Sequence, residues 1–220
     1  MNLARTIDHT LLKPDATRAD IERLCGEAVA FQFFSVCVNG SRVALARAVL
    51  ADGGPKVAAV TGFPLGAMDP AAKAAETALA VKAGADEIDT VLNVGWLLDG
   101  DHAGVLRDLR GVVAAADGRP VKVILETGLL TDDLKRTACR LAVDAGAAFV
   151  KTSTGFAGSG ATIDDVRLMK STVGDACRVK ASGGIRDRAT ALAMLDAGAS
   201  RLGTSSGAAI VRGDEACGTY

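Results

Sequence analysis

The chain has 220 residues, 49% of them hydrophobic, enough for one domain-sized core and the length of a complete α/β barrel. Its 25 basic and 26 acidic residues leave a formal charge of −1, which excludes a polyanion or an anionic membrane as the expected partner and leaves a small, locally held anion. Five scattered cysteines without a Cys-x-x-Cys pair, and histidines only at His9 and His102, argue against a disulfide framework, a structural zinc site and an imidazole metal centre.

The first residues, Met1-Asn2-Leu3-Ala4-Arg5, lack the apolar run of a signal peptide, and no stretch reaches ~18 uninterrupted apolar residues. The expected compartment is the cytoplasm, with neither nucleic acid nor membrane as partner. Along the chain, short β-branched runs alternate with longer alanine-rich amphipathic segments. A strand over Thr6–Thr10 leads to a helix near Arg18–Phe31, then a strand at Phe34–Val38 and a helix at Ser41–Leu50. Strand Val57–Thr61 precedes helix Pro70–Ala83, and strand Glu87–Val91 precedes helix Ala103–Ala116. Strand Val121–Glu126 and helix Asp132–Ala145 follow, then strand Phe149–Thr152 and helix Ile163–Val173. The last pairs are Arg178–Ser182 with Arg188–Ala197, and Ser200–Thr204 with a short helix at Ala208–Val211. Glycine just past a helix end, as in Ala83-Gly84-Ala85, Ala145-Gly146-Ala147 and Ala197-Gly198-Ala199, accepts the left-handed conformation that stops the helix.

Strands recurring every roughly 25–30 residues between helices predict an all-parallel sheet. An open doubly wound sheet would carry a Gly-x-Gly-x-x-Gly turn after its first strand, and none is present, so a (β/α)8 TIM barrel is expected. No linker divides the chain. The barrel is assigned to residues 1–211, and the polar residues 212–220 read as a mobile tail.

Central strands of a parallel sheet should be continuously apolar. Here four consecutive strands carry Asp89, Lys122, Lys151 and Lys180 in or beside their apolar runs. Alternation along a strand turns Val150, Val179 and Ala181 toward the helices and Lys151 and Lys180 into the barrel. A buried charge there costs several kcal/mol unless it is paired or loses its proton. A purely structural ion-pair network is the competing explanation, but three lysines and an aspartate on adjacent strands favour a site. Burial and a second cation nearby both favour a neutral amine, the form that attacks a carbonyl to make an imine. Lys151 and Lys180 lie on neighbouring strands, and either qualifies as nucleophile; spacing does not choose between them. Asp89 is placed to move protons directly or through one water.

Two glycine-rich turns, Ser182-Gly183-Gly184-Ile185-Arg186 and Gly203-Thr204-Ser205-Ser206-Gly207, follow the seventh and eighth strands. Barrel enzymes frequently bind phosphate there, where glycines let backbone N–H groups approach an anion. Without a P-loop, a monophosphate is the expected ligand.

Longer segments carry a resemblance. They are Ile7-Asp8-His9-Thr10-Leu11-Leu12-Lys13-Pro14, Val36-Cys37-Val38-Asn39, Gly62-Phe63-Pro64-Leu65-Gly66 and Glu87-Ile88-Asp89-Thr90-Val91-Leu92-Asn93. Further on stand Lys122-Val123-Ile124-Leu125-Glu126-Thr127, Phe149-Val150-Lys151-Thr152-Ser153-Thr154-Gly155-Phe156 and Val179-Lys180-Ala181-Ser182-Gly183-Gly184-Ile185, with the Gly203–Gly207 turn last. Over essentially its whole length the chain resembles the deoxyribose-phosphate aldolases. The resemblance implies reversible cleavage of 2-deoxy-D-ribose 5-phosphate to acetaldehyde and D-glyceraldehyde 3-phosphate by class I chemistry, without metal or organic cofactor. It makes Lys151 the Schiff-base lysine, Lys180 its perturbing neighbour and Asp89 the acid/base group, with Lys122 holding the arrangement. It further implies a phosphate pocket of Gly155, Gly183, Gly184, Gly203, Ser205 and Ser206, hydroxyl contacts from Asp8 and Thr10, and a homodimer.

Two departures are visible: Gly40 where the family often has proline, and His102 where it usually has tyrosine. The rivals are a transaldolase-like transferase and a non-catalytic phosphosugar-binding barrel. Among single residues, His9 faces away from Asp8 and reads as a hydrogen-bonded structural histidine. Cys37 shares a strand face with Ser35 and Asn39 and reads as a small buried hydrophobe. Tyr220 would matter only if the tail folds over the barrel mouth.

Overall fold

The computed structural model describes residues 2–50 and 53–214. Eight parallel strands close in chain order: β1 Ile7–Leu11, β2 Ser35–Asn39, β3 Lys56–Thr61, β4 Glu87–Val91, β5 Val121–Ile124, β6 Phe149–Lys151, β7 Arg178–Ser182 and β8 Arg201–Thr204. The last strand returns to the first, with Leu202 beside Ile7 and Gly203 beside Asp8. The helices are α1 Arg18–Ala30, α2 Val43–Leu50, α3 Pro70–Lys82, α4 Val94–Leu98, α5 His102–Ala115, α6 Asp132–Asp144, α7 Ile163–Val173, α8 Arg188–Asp196 and α9 Gly207–Arg212. The expected (β/α)8 barrel is therefore the fold. No helix among the described residues is long and apolar enough to cross a membrane.

Local chemistry sets the helix ends. Thr17 and Asp20 form a reciprocal capping box on α1, while Thr131, Thr162 and Asp187 accept from the first-turn amides of α6, α7 and α8. Each such cap contributes about 1 kcal/mol. The three expected glycine stops are all left-handed, with φ of 103° at Gly84, 86° at Gly146 and 114° at Gly198.

The differences from the predicted elements are short and local. Helix α4 has five residues, too few for a periodic signal, and is started by Asn93 Oδ1 accepting from the Trp96 N–H at 3.2 Å. Strand β5 stops at Ile124, two residues before the predicted end, because Glu126 is left-handed at φ 57°, ψ 61°. Helix α9 takes in Arg212, so the polar segment begins one residue later than expected. Cys217 and Tyr220 lie outside the described residues, as does most of the expected tail.

Alternation divides the strands between two environments. Val36, Val38, Ile88, Val123, Val150, Val179, Ala181 and Leu202 face outward and are fully buried in the core between strands and helices. Burying each larger side chain contributes roughly 1.5–3 kcal/mol. The inward residues are far more polar. An apolar group of Leu12, Cys37, Ala58 and Val60, with Phe63 against it, occupies the β1–β3 side. The buried charged residues occupy much of the remaining interior, beside Phe149 and Ser35.

Candidate active site

The register sets Asp89 beside Lys122 and Lys151 beside Lys180. Six charged groups then form a closed ring of alternating sign inside the barrel. Arg201 Nη1 donates to Asp8 Oδ1 at 2.8 Å and to Glu87 Oε2 at 3.1 Å. Lys180 Nζ joins Asp8 Oδ2 at 2.5 Å to Asp89 Oδ2 at 2.8 Å. Lys122 Nζ joins Asp89 Oδ1 at 2.6 Å to Glu87 Oε2 at 2.7 Å. Three cations and three carboxylates balance.

Lys151 hangs outside that ring. Its ammonium nitrogen donates to Asp89 Oδ2 at 2.9 Å, an oxygen it shares with Lys180. It is therefore the one positive charge in excess of the carboxylates, at a position only 3% exposed. Burial is the largest influence on it and drives the amine toward the neutral form; Asp89 resists, and the Lys180 charge adds to the effect of burial. The balance falls below the ordinary lysine value. The other two lysines behave oppositely. Burial would also neutralise them, but the carboxylates around Lys122 and Lys180 outweigh it and hold both protonated. Burial likewise opposes ionisation of Asp8 and Asp89, yet the surrounding cations keep both well below the usual carboxylate range. Strand spacing leaves two candidates for a neutral amine; the charge balance leaves Lys151.

Above Lys151 opens a cavity of about 290 Å³. Thr10 and Leu12 of the β1 end form one wall, and Ser182, Gly183, Gly184 and Arg186 of the turn after β7 form another. Gly203, Thr204 and Ser205 lie between them, and Gly155 and Gly160 come from the long loop after β6. Two glycines are required by close approach. A Cβ on Gly160 would stand 2.4 Å from the Gly183 carbonyl oxygen, where the two loops are tied by the Ala161 N–H to Gly183 O bond at 2.9 Å. A Cβ on Gly203 would meet Lys180 Cε at 3.0 Å, so that glycine leaves room for the lysine as well as lining the cavity.

Two of the expected contact residues, Asp8 and Ser206, do not line this cavity. Asp8, which the resemblance gives a substrate hydroxyl, is the second residue of β1 and is fully buried beneath the cavity. Its carboxylate is occupied by Ser35 Oγ at 2.7 Å, Arg201 and Lys180, so it belongs to the ring and not to the cavity wall. Ser206, half-buried, stands at the N-cap of α9 and donates its N–H to Thr204 Oγ1 at 2.9 Å. Sequence reasoning also passed over residues that matter to the geometry. Arg186 sits in a turn read only for its glycines. Glu87 and Arg201 open their strands and look like rim residues. Glu126 accepts from both the N–H and the hydroxyl of Thr154, fixing the start of the loop that carries Gly155.

His9 does turn away from the barrel axis, with Nε2 2.6 Å from Glu27 Oε2. Cys37 faces inward, packed against apolar neighbours. Burial, then the Asp89 charge, push its thiol up, so it carries no charge into the ring.

Comparison with known proteins gives a consistent match. The family model for DeoC/LacD family aldolases covers residues 3–214. A deoxyribose-phosphate aldolase of Bdellovibrio bacteriovorus is 56% identical over 220 residues, spanning 100% of both chains. One from Exiguobacterium sibiricum is 57% identical over 221 residues, again spanning 100% of both. The tetrameric deoxyribose phosphate aldolase of Aeropyrum pernix superposes with a TM-score of 0.89 at 35% identity, covering 96% of this chain and 89% of that one.

Proposed function

Because this chain belongs to the DeoC/LacD family of aldolases, we propose that it is a carbon–carbon lyase that reversibly cleaves 2-deoxy-D-ribose 5-phosphate to acetaldehyde and D-glyceraldehyde 3-phosphate through an imine on Lys151. The observation that carries the mechanism is the surplus charge at Lys151, an amine on the cavity floor with a balanced ring beneath it.

In the cleavage direction the neutral Nζ of Lys151 attacks the substrate aldehyde carbon, and loss of water leaves a protonated imine. That imine restores the positive charge the amine had given up, 2.9 Å from the Asp89 carboxylate that balances it. Removal of a proton from the substrate C3 hydroxyl breaks the C2–C3 bond, and the electron pair flows into the imine as an enamine. Glyceraldehyde 3-phosphate leaves. The enamine is protonated on carbon, and water releases acetaldehyde and Lys151. Asp89, directly or through a water, serves the proton movements around the nitrogen, while Lys122 and Lys180 hold its carboxylate in place. Thr10 at the cavity wall is suited to a substrate hydroxyl, and apolar Leu12 to the acetaldehyde methyl group.

The phosphate would lie against Gly155, Gly183, Gly184, Gly203 and Ser205, where backbone amides approach closely and Arg186 supplies charge. A hydrogen bond to a charged group is worth about 1.5–3 kcal/mol. Arg186→Met is therefore expected to raise KM for the phosphorylated substrate about 10- to 100-fold. With unphosphorylated 2-deoxyribose the same variant should match wild type. Equal losses on both substrates would remove Arg186 from the phosphate site.

Borohydride trapping with acetaldehyde, followed by peptide mass mapping, tests the imine. An ethyl adduct on Lys151 is expected. An adduct on Lys180 would reverse the roles of the two lysines. Folded protein that forms none would be a phosphosugar-binding barrel without imine chemistry.

A further inference from the structure

Arg201 takes no part in the mechanism above, yet it is buried at the barrel end remote from the cavity. Its guanidinium carbon lies 3.4 Å over the Phe34 ring and 5.3 Å from the Phe149 ring centroid. Its Nη1 hydrogen-bonds both Asp8 and Glu87 and closes the charged ring at that end, whereas Lys122, bonded to Glu87 at 2.7 Å, reaches Asp8 only at 4.0 Å. We propose that Arg201 is a positioning residue for the imine chemistry: by closing the ring it makes Lys151, rather than Lys122 or Lys180, the lysine free to attack a carbonyl. The inference rests on Lys151 being the imine lysine.

The argument is charge balance in a space that water does not screen. The groups facing the interior are Asp8 from β1, Cys37 from β2, Glu87 and Asp89 from β4, and Lys122, Lys151, Lys180 and Arg201 from β5 to β8. Strand β3 contributes Ala58 and Val60 to the buried interior, with the charged Lys56 exposed at its start, and the Cys37 thiol stays protonated. With Arg201 present, three carboxylates are matched without Lys151. Without it, three carboxylates face three lysines, and Lys151 is drawn in as the third counter-charge and keeps its proton. Arg5, Lys56 and Arg178 stand around the same two rings from outside. Being exposed, they are screened and cannot replace it. A guanidinium suits the place because it stays charged, is weakly hydrated and stacks on an aromatic face.

Removing Arg201 and removing Glu87 should therefore act in opposite directions. Loss of one charge a few links away is worth about one pH unit at the effective dielectric of a protein interior. Arg201→Met should move the pH midpoint of acetaldehyde trapping, and the acid limb of kcat/KM, about one unit toward alkaline pH. Glu87→Gln should move both toward acid pH by a similar amount. Arg201→Lys, which keeps the charge, should return the midpoint toward wild type even where thermal stability stays reduced. A role confined to packing would lower Tm in these variants and leave every midpoint in place, and that result overturns the inference. Shifts of the same sign in Arg201→Met and Glu87→Gln also overturn it. Should Arg201→Met fail to fold, Glu87→Gln decides alone: an acid shift supports the inference and an unmoved midpoint overturns it. Wild-type protein that traps no adduct at any pH fails at an earlier step, the imine itself.

Discussion

Replacing Lys151 with methionine should abolish turnover, by a factor of about 10⁴ or more, while leaving the barrel folded. In the proposed mechanism this amine forms the covalent bond, and nothing nearby substitutes for it, because Lys122 and Lys180 are held as ammonium ions by at least two carboxylates each. The fold should tolerate the change because Lys151 is the charge outside the ring. Its removal leaves three cations against three carboxylates, with a methionine of similar length in a largely buried place. Lys180→Met gives the contrast. It removes the cation bonded to both Asp8 and Asp89; Lys151, bonded to Asp89, does not replace the bond to Asp8, and breaking such a buried pair costs about 3–5 kcal/mol. Thermal melting read beside turnover separates the two: activity lost with Tm held for Lys151→Met, both lost for Lys180→Met. If Lys151→Met retains more than about 1% of wild-type turnover, Lys151 is not the nucleophile.

That contrast also marks where the sequence stops being legible. Charges in strands that ought to be apolar pointed to the site, since period-two alternation alone turns Lys151 and Lys180 inward. What remained hidden was the third dimension of the barrel. Glu87 and Arg201 open β4 and β8, where a linear reading places rim residues, yet both are buried in the interior and bonded to each other and to Asp8 or Lys122. Strands in a barrel are tilted and staggered, so a residue early in one strand can share a layer with one later in another. Asp8 was tied to the substrate by the resemblance alone; no sequence pattern shows that its carboxylate is taken up by Ser35, Lys180 and Arg201. Arg186 was missed because glycines drew attention to its turn. The choice between the two lysines needed either the family resemblance or the count of partners, and no spacing rule contains that count.

Asp89 is where the three lysines converge, and Asp89→Asn should separate forming the imine from moving protons around it. The asparagine keeps the shape but not the charge. Lys122 retains Glu87 and Lys180 retains Asp8, while Lys151 loses the one carboxylate that favours its protonated form. The amine should then be at least as ready to react, so a borohydride-trapped ethyl adduct should still map to Lys151. Turnover should nevertheless fall about 10²- to 10⁴-fold, the usual cost of losing an acid/base group in place. Stability carries an independent signature. Asp89 ionises in the folded protein well below the usual carboxylate range, so its contribution is present above the unfolded value near 3.8 and is lost as pH falls through and below it. Wild type should therefore lose stability steeply below about pH 5. Asp89→Asn should start lower, by about 3–5 kcal/mol at neutral pH, and decline less over the same acid range because one of its depressed carboxylates is gone. Adduct formation with turnover within tenfold of wild type would show that the proton is carried by another group. In that event Asp89 would hold the lysines in place and do no more.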